Sequence, residues 1–544
     1  MSVDDWWQRG VVYQIYPRSF ADSNGDGVGD LAGIIEHLDH LETLGVDAIW
    51  LSPIYPSPGL DLGYDVADHS AVDPLFGTLE DFDRLVADAH RRGLKVLLDL
   101  VLNHTSDRHR WFEDSRSSRD NPHADWFLWR DPAGWRRGKP LPPNNWLSYF
   151  GGPGWTWEPR RGQFYFHTFL AEQPDVNFRS PGLREAQLDV VRSWLARGVD
   201  GFRLDVFNTF FKQPDLASNP RRPLRLDSLR AWSRQAHVND RDQPELGPFL
   251  AQLRSIVDAG PGRMTVGELF DDRIEVAAEY ATLRHLIFDF GLLQEPWRAD
   301  RIGAAIDRIE HAFGPGRWPA VVLSNHDQPR TASRVARGLR GAERDVAAKA
   351  AAVLLLTLRG TPFLYYGEEL GLGDVRIPRA EIVDPPARRY WPLPIWWNRD
   401  QCRTPMPWRP GPNAGFTTGR PWLRLGPDAQ TRNVAMEAAD PGSVLAAWRG
   451  LIALRKSLPA LQVGGFRWIA RTPGALAYAR ETGNASEAVL VAINFRGQPA
   501  EVALEGSPVG QDWAVVWSTT GSAAVGPAGI RLAGHEAALV RRSG

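Results

Sequence analysis

The 544-residue sequence predicts an α/β protein: a (β/α)8 TIM barrel with a small subdomain inserted after strand 3 and a C-terminal antiparallel β-sandwich domain. Three observations predict it. Short apolar strands alternate with amphipathic helices eight times, the rhythm of a barrel. A stretch rich in Trp, Gly, Pro and Arg interrupts that rhythm after the third strand, and it is too long for a simple loop. Beyond about residue 462 the helices give way to short strands separated by turns.

The expected barrel strands are VVYQIY (11–16), DAIWLS (47–52), KVLLDLV (95–101), GFRLDV (201–206), RMTVGEL (263–269), HLIFDF (285–290), AVVLSN (320–325) and PFLYYG (362–367). Between them, Thr78 caps a helix with Glu80 and Asp81 in its first turn. Phe82, Leu85, Val86 and Ala89 line one face of it, and Gly93 ends it. Leu188, Val191, Trp194 and Leu195 make a second such face before Gly198. An open doubly wound sheet is the alternative, but no GxGxxG follows an early strand and eight units suit closure. The barrel is therefore expected over residues 1–104 and 175–461, with an irregular Pro- and Trp-dense insertion at about 371–420. Residues 105–174 form the inserted subdomain. Residues 462–544 form the all-β domain, with strands FRWIA, ALAYAR, AVLVAINF, AEVAL, WAVVWS and AALVRR.

Composition excludes several function classes. A net charge of −2 gives no electrostatic case for nucleic acid. The longest apolar run, AAVLLLTL (351–358), is far too short to span a bilayer, and MSVDDWWQRG lacks the basic start and apolar run of a signal peptide. Cys402 is the one cysteine, so no intrachain disulfide exists, as suits a reducing compartment. The expectation is a cytoplasmic protein, monomer or homodimer, with neither membrane nor nucleic-acid partner. Trp is unusually common at 23 residues, with Trp111, Trp126, Trp129, Trp135, Trp146, Trp155 and Trp157 inside the insertion. Such rings suit the C–H faces of sugars, but core packing is the weightier reading.

Catalytic groups of a barrel sit at the C-terminal ends of its strands. On the fourth strand, period two puts Arg203 and Asp205 on one side and Phe202, Leu204 and Val206 on the other. An Arg beside an Asp favours the ionised carboxylate that a nucleophile needs, although a buried structural ion pair is the bland alternative. Glu268 ends the fifth strand among apolar residues that raise a carboxyl pKa, as a general acid requires. LSNHDQPR ends the seventh strand with His326 and Asp327, and LVLNHTS ends the third with Asn103 and His104. Four polar clusters at four strand ends argue for a site where any one alone would not. Paired carboxyls suit glycoside cleavage, whereas no HxH or HExxH spacing supports a zinc hydrolase.

One further stretch, DSNGDGVGD (22–30), matches the start of an EF-hand loop, with Gly27 at the turn. Position twelve is Gly33 rather than a bidentate Glu, and a strand precedes it where a helix should. A calcium sensor is thereby disfavoured. A hard-cation loop of oxygen ligands and a metal-free Asx/Gly turn both stay open on the residues alone.

LDLVLNHTS, GFRLDVFN, VGELF and LSNHDQPR resemble the four signature regions of the α-amylase family, glycoside hydrolase family 13, and QPDVNF (173–178) looks like its fifth. GVDAIWLSPIYPSP, GYDVADH, NRDQCRTPMPW and YYGEELG are similar to its α-glucosidase/oligo-1,6-glucosidase branch, in family order over nearly the whole chain. The resemblance implies a retaining α-glucosidase acting on small α-glucosides of maltose or isomaltose type through a covalent glucosyl-enzyme, with some transglucosylation. It implies Asp205 as nucleophile, Glu268 as acid/base and Asp327 as the third carboxylate. It implies Arg203 as partner of Asp205, His104 and His326 as sugar-binding histidines, and Asp65 with Arg399 as the pair sealing the pocket. Tyr64, Phe150 and Phe169 would be the aromatic walls. It also implies a structural Ca2+ (Mg2+ the other candidate) on Asp22, Asn24, Asp26, the Val28 carbonyl and Asp30, and no organic cofactor. Asn103, a calcium ligand in α-amylase relatives, is not carried over. Val206 after the nucleophile accompanies α-1,6 activity in similar enzymes. A dedicated transferase or isomerase, of trehalose synthase or sucrose isomerase type, is the alternative on the same fold. A non-catalytic relative, like the heavy chains of amino-acid transporters, would have a membrane segment and eroded carboxylates, and this sequence has neither feature.

Overall fold

The computed structural model describes residues 5–223, 230–270, 273–393, 395–484, 487–503 and 513–542. All eight expected barrel strands form, as β1 (Val12–Ile15), β2 (Ala48–Leu51), β3 (Lys95–Leu100), β4 (Gly201–Leu204), β5 (Met264–Glu268), β6 (Leu286–Phe288), β7 (Ala320–Val322) and β8 (Thr361–Tyr365). They pair in parallel in sequence order, and β8 returns to β1 to close the barrel. The helix Leu79–Arg91 carries the expected cap: the Thr78 hydroxyl accepts from the Asp81 amide while the Asp81 side chain accepts from the Thr78 amide. Its buried face is Phe82, Leu85, Val86 and Ala89. The helix Pro181–Ala196 buries Leu188, Val191, Trp194 and Leu195 in the same way.

The lumen explains where chemistry can sit. Val12, Ala48, Leu97, Met264, Leu286 and Ala320 begin their inward-facing columns and pack together with Trp50, Val266, Phe288 and Phe363 as a dry plug. Further along, these columns turn polar at Gln14, two residues past Val12, at Asp99, two past Leu97, and at Glu268, two past Val266, and β4 adds Arg203. The register sets Asp99 beside Arg203, and Arg203 beside Val266. The apolar end therefore supports a polar layer at the C-terminal rim.

Between residues 105 and 174 a short helix (Arg110–Ser117) and small antiparallel sheets form. Of its tryptophans, Trp111, Trp129, Trp146 and Trp155 are buried in hydrophobic clusters, as the core reading expects, and Trp135 is exposed. Beyond the barrel, β9 (Gly465–Arg471), β10 (Ala475–Glu481), β11 (Val489–Asn494), β12 (Ala500–Ala503), β13 (Trp513–Ser518), β14 (Ala524–Gly526), β15 (Gly529–Leu532) and β16 (Ala537–Arg542) form two antiparallel sheets. Alternate residues of both, including Leu490, Val502, Trp513, Ile530 and Val540, enclose one apolar layer. Leu504, the end of the expected AEVAL strand, lies outside the described residues. β14 and β15 were not expected, since AAVGPAGIRL offers only short, Gly-broken alternation.

Candidate active site

At the C-terminal rim, one buried guanidinium gathers three carboxyl groups. Arg203 Nη1 donates to Asp99 Oδ1 and to Asp205 Oδ1, each at 2.7 Å, and Nη2 donates to Glu268 Oε2. Its side chain is 2% exposed. Asp99 also accepts from the Tyr64 hydroxyl at 3.0 Å and from the Trp50 indole at 3.3 Å. Tyr64 in turn meets His326 Nε2 at 2.7 Å and stacks on its ring, while the Gln14 amide meets His326 Nδ1 at 2.8 Å. Asp205 begins just past β4, because the strand stops at Leu204. The expected alternation fails one residue later: Val206 takes a left-handed conformation (φ 35°). That backbone is strained for a β-branched residue. Instead of joining Phe202 and Leu204 outside the barrel, Val206 packs with Phe150 and Phe169.

Electrostatics separate the carboxyls. Burial pushes Glu268 up to about 8 against the opposing pull of Arg203. Burial also pushes Asp205 up to about 7, so the expectation that Arg203 holds it low is corrected: desolvation outweighs the guanidinium. Glu268 still keeps its proton to higher pH than Asp205. Asp327 behaves oppositely. Burial alone would raise it, but His326 and the guanidinium groups of Arg399 and Arg403 hold it well below the usual carboxylate range. His326 is pushed down to about 3 by burial and is neutral at pH 7.

A second half of the site comes from loops. Arg399 Nη2 donates to Asp61 Oδ1 at 2.9 Å and to Asp384 Oδ1 at 2.7 Å, and Nη1 to Asp327 Oδ1 at 3.3 Å. Arg403 also donates to Asp327, and its Nε to the His326 carbonyl at 2.7 Å. The expected Asp65–Arg399 pair is therefore corrected to Asp61–Arg399. Asp65 is fully buried and spent on its own loop, accepting from Ser57 Oγ, the Leu60 amide and the Asp61 amide at 2.7, 2.8 and 3.0 Å. Phe150 lies 5.2 Å beneath the Arg399 guanidinium and 5.4 Å from the Phe169 ring. Tyr149, Phe270 and Trp396 adjoin this cluster. His104 is buried, with Nε2 3.1 Å from the Tyr64 carbonyl and its ring edge-on to Phe169.

Asn103 has a different task from a metal ligand. Its Oδ1 accepts from Lys212 Nζ at 3.0 Å, and Lys212 is ion-paired with Asp175 at 2.8 Å, both fully buried. An ammonium thus stands where these oxygens would otherwise call for a cation. In the 22–30 loop, Asp22 accepts from the Gly25 and Gly27 amides at 2.7 Å each, Asn24 from Asp26 at 2.9 Å, and Asp26 from Val28 at 2.8 Å. Asp30 accepts from the Ser23 and Gly33 amides. The donor set is all oxygen, the chemistry of a hard-cation site, and Asp26 keeps an oxygen to offer, whereas Asp22 already accepts four hydrogen bonds and would exchange some of them for a cation. Gly27 is irreplaceable in this turn: at φ 95° its missing Cβ would fall 1.9 Å from the Arg420 carbonyl. Among the described residues, no three His, Cys, Asp or Glu side chains are drawn together as a metal-holding group.

Sequence reasoning missed Asp61, Asp99, Asp384, Arg403 and Lys212. Asp99 had a signal, since period two from Leu97 aims it into the lumen. Nothing in local spacing distinguishes Asp61 from Asp65, or ties Asp384 to Arg399.

A family model described as Alpha amylase, catalytic domain, matches residues 14–464. A probable alpha-glucosidase of Rhizobium meliloti (strain 1021) is 44% identical over 509 residues, 91% of this chain and 90% of that protein. An oligo-1,6-glucosidase of Heyndrickxia coagulans is 38% identical over 90% of this chain and 92% of its own length. Among solved structures, that of an alpha-glucosyl transfer enzyme, XgtA, matches with a TM-score of 0.92 and 44% identity over 99% of both chains.

Proposed function

The chain belongs to the alpha-amylase family, and from that premise we propose that it is a retaining α-glucosidase releasing terminal glucose from short α-glucosides. The observation that carries this reading is the single guanidinium of Arg203 holding both Asp205 and Glu268. The two carboxyls take the two adjacent terminal nitrogens of one guanidinium. That supports the close spacing of a retaining pair over the wider spacing of an inverting one. In the first step an Asp205 oxygen attacks the anomeric carbon as the glycosidic C–O bond breaks, and Glu268, protonated below about pH 8, gives its proton to the leaving oxygen. In the second, water attacks the glucosyl-Asp205 ester and returns its proton to Glu268. Asp327, held ionised by Arg399 and Arg403, faces the sugar as a fixed acceptor. Asp61 with Arg399 closes the pocket behind the terminal glucose, which favours short substrates over internal attack. The DSNGDGVGD loop would hold a structural Ca2+ (or Mg2+) through Asp22, Asn24, Asp26, the Val28 carbonyl and Asp30. A bound cation there stiffens the loop, whose Asp22 amide also donates to the Phe416 carbonyl at 3.0 Å.

The likeness to an alpha-glucosyl transfer enzyme favours a second reading, transfer of glucose to an acceptor other than water. Time-resolved product analysis separates the two, with maltose, isomaltose, trehalose and sucrose supplied singly. Hydrolysis gives glucose in step with bond cleavage, and the relative rates name the linkage. Transfer gives isomers or longer saccharides from the start. No turnover of any of the four overturns both readings.

A further inference from the structure

Arg399 is surrounded by three carboxylates, and they are not equivalent. The side chain of Asp327 is 32% exposed, that of Asp61 6% and that of Asp384 0%. Asp327 is thus the partly open partner of the guanidinium, and Asp61 and Asp384 are its buried ones, Asp384 wholly so.

Asp384 also grips more of Arg399 than either. Its Oδ1 accepts from Nε at 2.9 Å and from Nη2 at 2.7 Å, and its Oδ2 accepts from the Arg399 backbone amide at 3.1 Å. The grip is reciprocal along the chain. Asp400 Oδ2 accepts from the Val383 and Asp384 amides at 2.8 and 3.2 Å, and Asn398 caps the short turn Arg399–Cys402 through the Asp400 amide. Two stretches of the irregular segment after β8 are thereby clasped at one point, with the Arg399 guanidinium projecting from the clasp. A free arginine side chain samples many rotamers, and a fork held at Nε and one Nη has only its remaining N–H groups to offer. Those are the groups that reach Asp61 and Asp327.

We infer that Asp384 is a positioning residue for substrate recognition: it anchors the back of Arg399, so that this guanidinium, Asp61 and Asp327 form one fixed wall around the terminal glucose. The inference rests on the α-glucosidase reading above. Asp384 touches no substrate and acts only through Arg399.

The test is a double-mutant cycle with Asp384→Asn, Arg399→Ala and the double variant, and with Asp384→Glu as the conservative rescue. Glucose release from the disaccharide that wild type turns over best gives kcat and KM, and thermal unfolding reports folding. Asp384→Asn is expected to raise KM about tenfold with kcat changed less than threefold, the loss of one charged hydrogen-bond partner. Asp384→Glu is expected to recover part of that loss. In the Arg399→Ala background, Asp384→Asn is expected to have no further effect on kcat/KM. Equal losses in the two backgrounds, or an unchanged KM in Asp384→Asn, would overturn the inference. Should Asp384→Asn fail to fold, the comparison of Arg399→Ala with Asp384→Glu/Arg399→Ala carries the same test. If wild type releases glucose from no disaccharide, the functional reading falls first. The same cycle is then read in glucose affinity by tryptophan fluorescence, where additive losses overturn the inference on their own.

Discussion

The two halves of the site are built on different principles. Arg203, Asp205, Glu268 and Asp99 lie on or just beyond regular strands, where register fixes which groups meet. Asp61, Asp384, Arg399, Arg403 and Asp327 lie on loops, where only the path of the chain decides. In the strand half burial pushes the acids up, whereas the loop half is rich in guanidinium and its half-buried Asp327 is pulled down. The strand half thus holds the group whose protonation changes in the reaction, Glu268, and the loop half holds Asp327, whose charge stays fixed.

The largest effect should come from the strand half. Asp205→Asn removes the nucleophile while keeping the shape of the Arg203 pair, and kcat should fall at least ~1,000-fold with little change in melting temperature. Glu268→Gln should lower kcat for poor leaving groups by about 100- to 10,000-fold. It carries a second signature with a definite sign. Glu268 has a folded pKa above its unfolded value, so the folded state resists ionising it, and stability is lost as pH rises from the ordinary carboxylate range through about 8. Glu268→Gln should therefore melt higher than wild type at pH 8 and alike at pH 4. Equal melting curves at both would break the contrast between the halves.

The pH profile sharpens it. Activity should rise as Asp205 ionises, near 7, and fall as Glu268 loses its proton, near 8. Asp327 should contribute no limb at neutral pH. The loop half is tested by a paired substitution. Asp61→Asn should raise KM about tenfold through loss of the Arg399 partner. Asp65→Asn should lower the melting temperature and leave KM within twofold, because its oxygens hold only Ser57 and the local amides. The smallest effect belongs to the 22–30 loop: a chelator should lower the melting temperature by a few degrees and leave kcat unchanged at 25 °C.

The same division governs what the sequence reveals. Every barrel strand was legible, because an alternating apolar column has one stable placement, and Arg203, Asp205 and Glu268 followed from it. Where the backbone leaves regular geometry, period two stops being a guide, as Val206 shows by turning toward Phe150. In LDLGYD two aspartates lie four residues apart, and one of them turns inward to cap its own loop. Asp384 lies 15 residues before Arg399 in a Pro-rich stretch without periodicity, so its grip on that side chain left no trace in the sequence. Lys212 was invisible for a similar reason: its partners Asn103 and Asp175 come from distant segments.

The most direct measurement is peptide mass spectrometry after trapping with a 5-fluoro-α-glucosyl fluoride, which slows the second step more than the first. The account predicts a fluoroglucosyl ester on Asp205, accumulating as activity falls and absent from Asp205→Asn. An ester on another carboxylate, or ongoing turnover of natural substrate with inverted product and no covalent adduct, would contradict it.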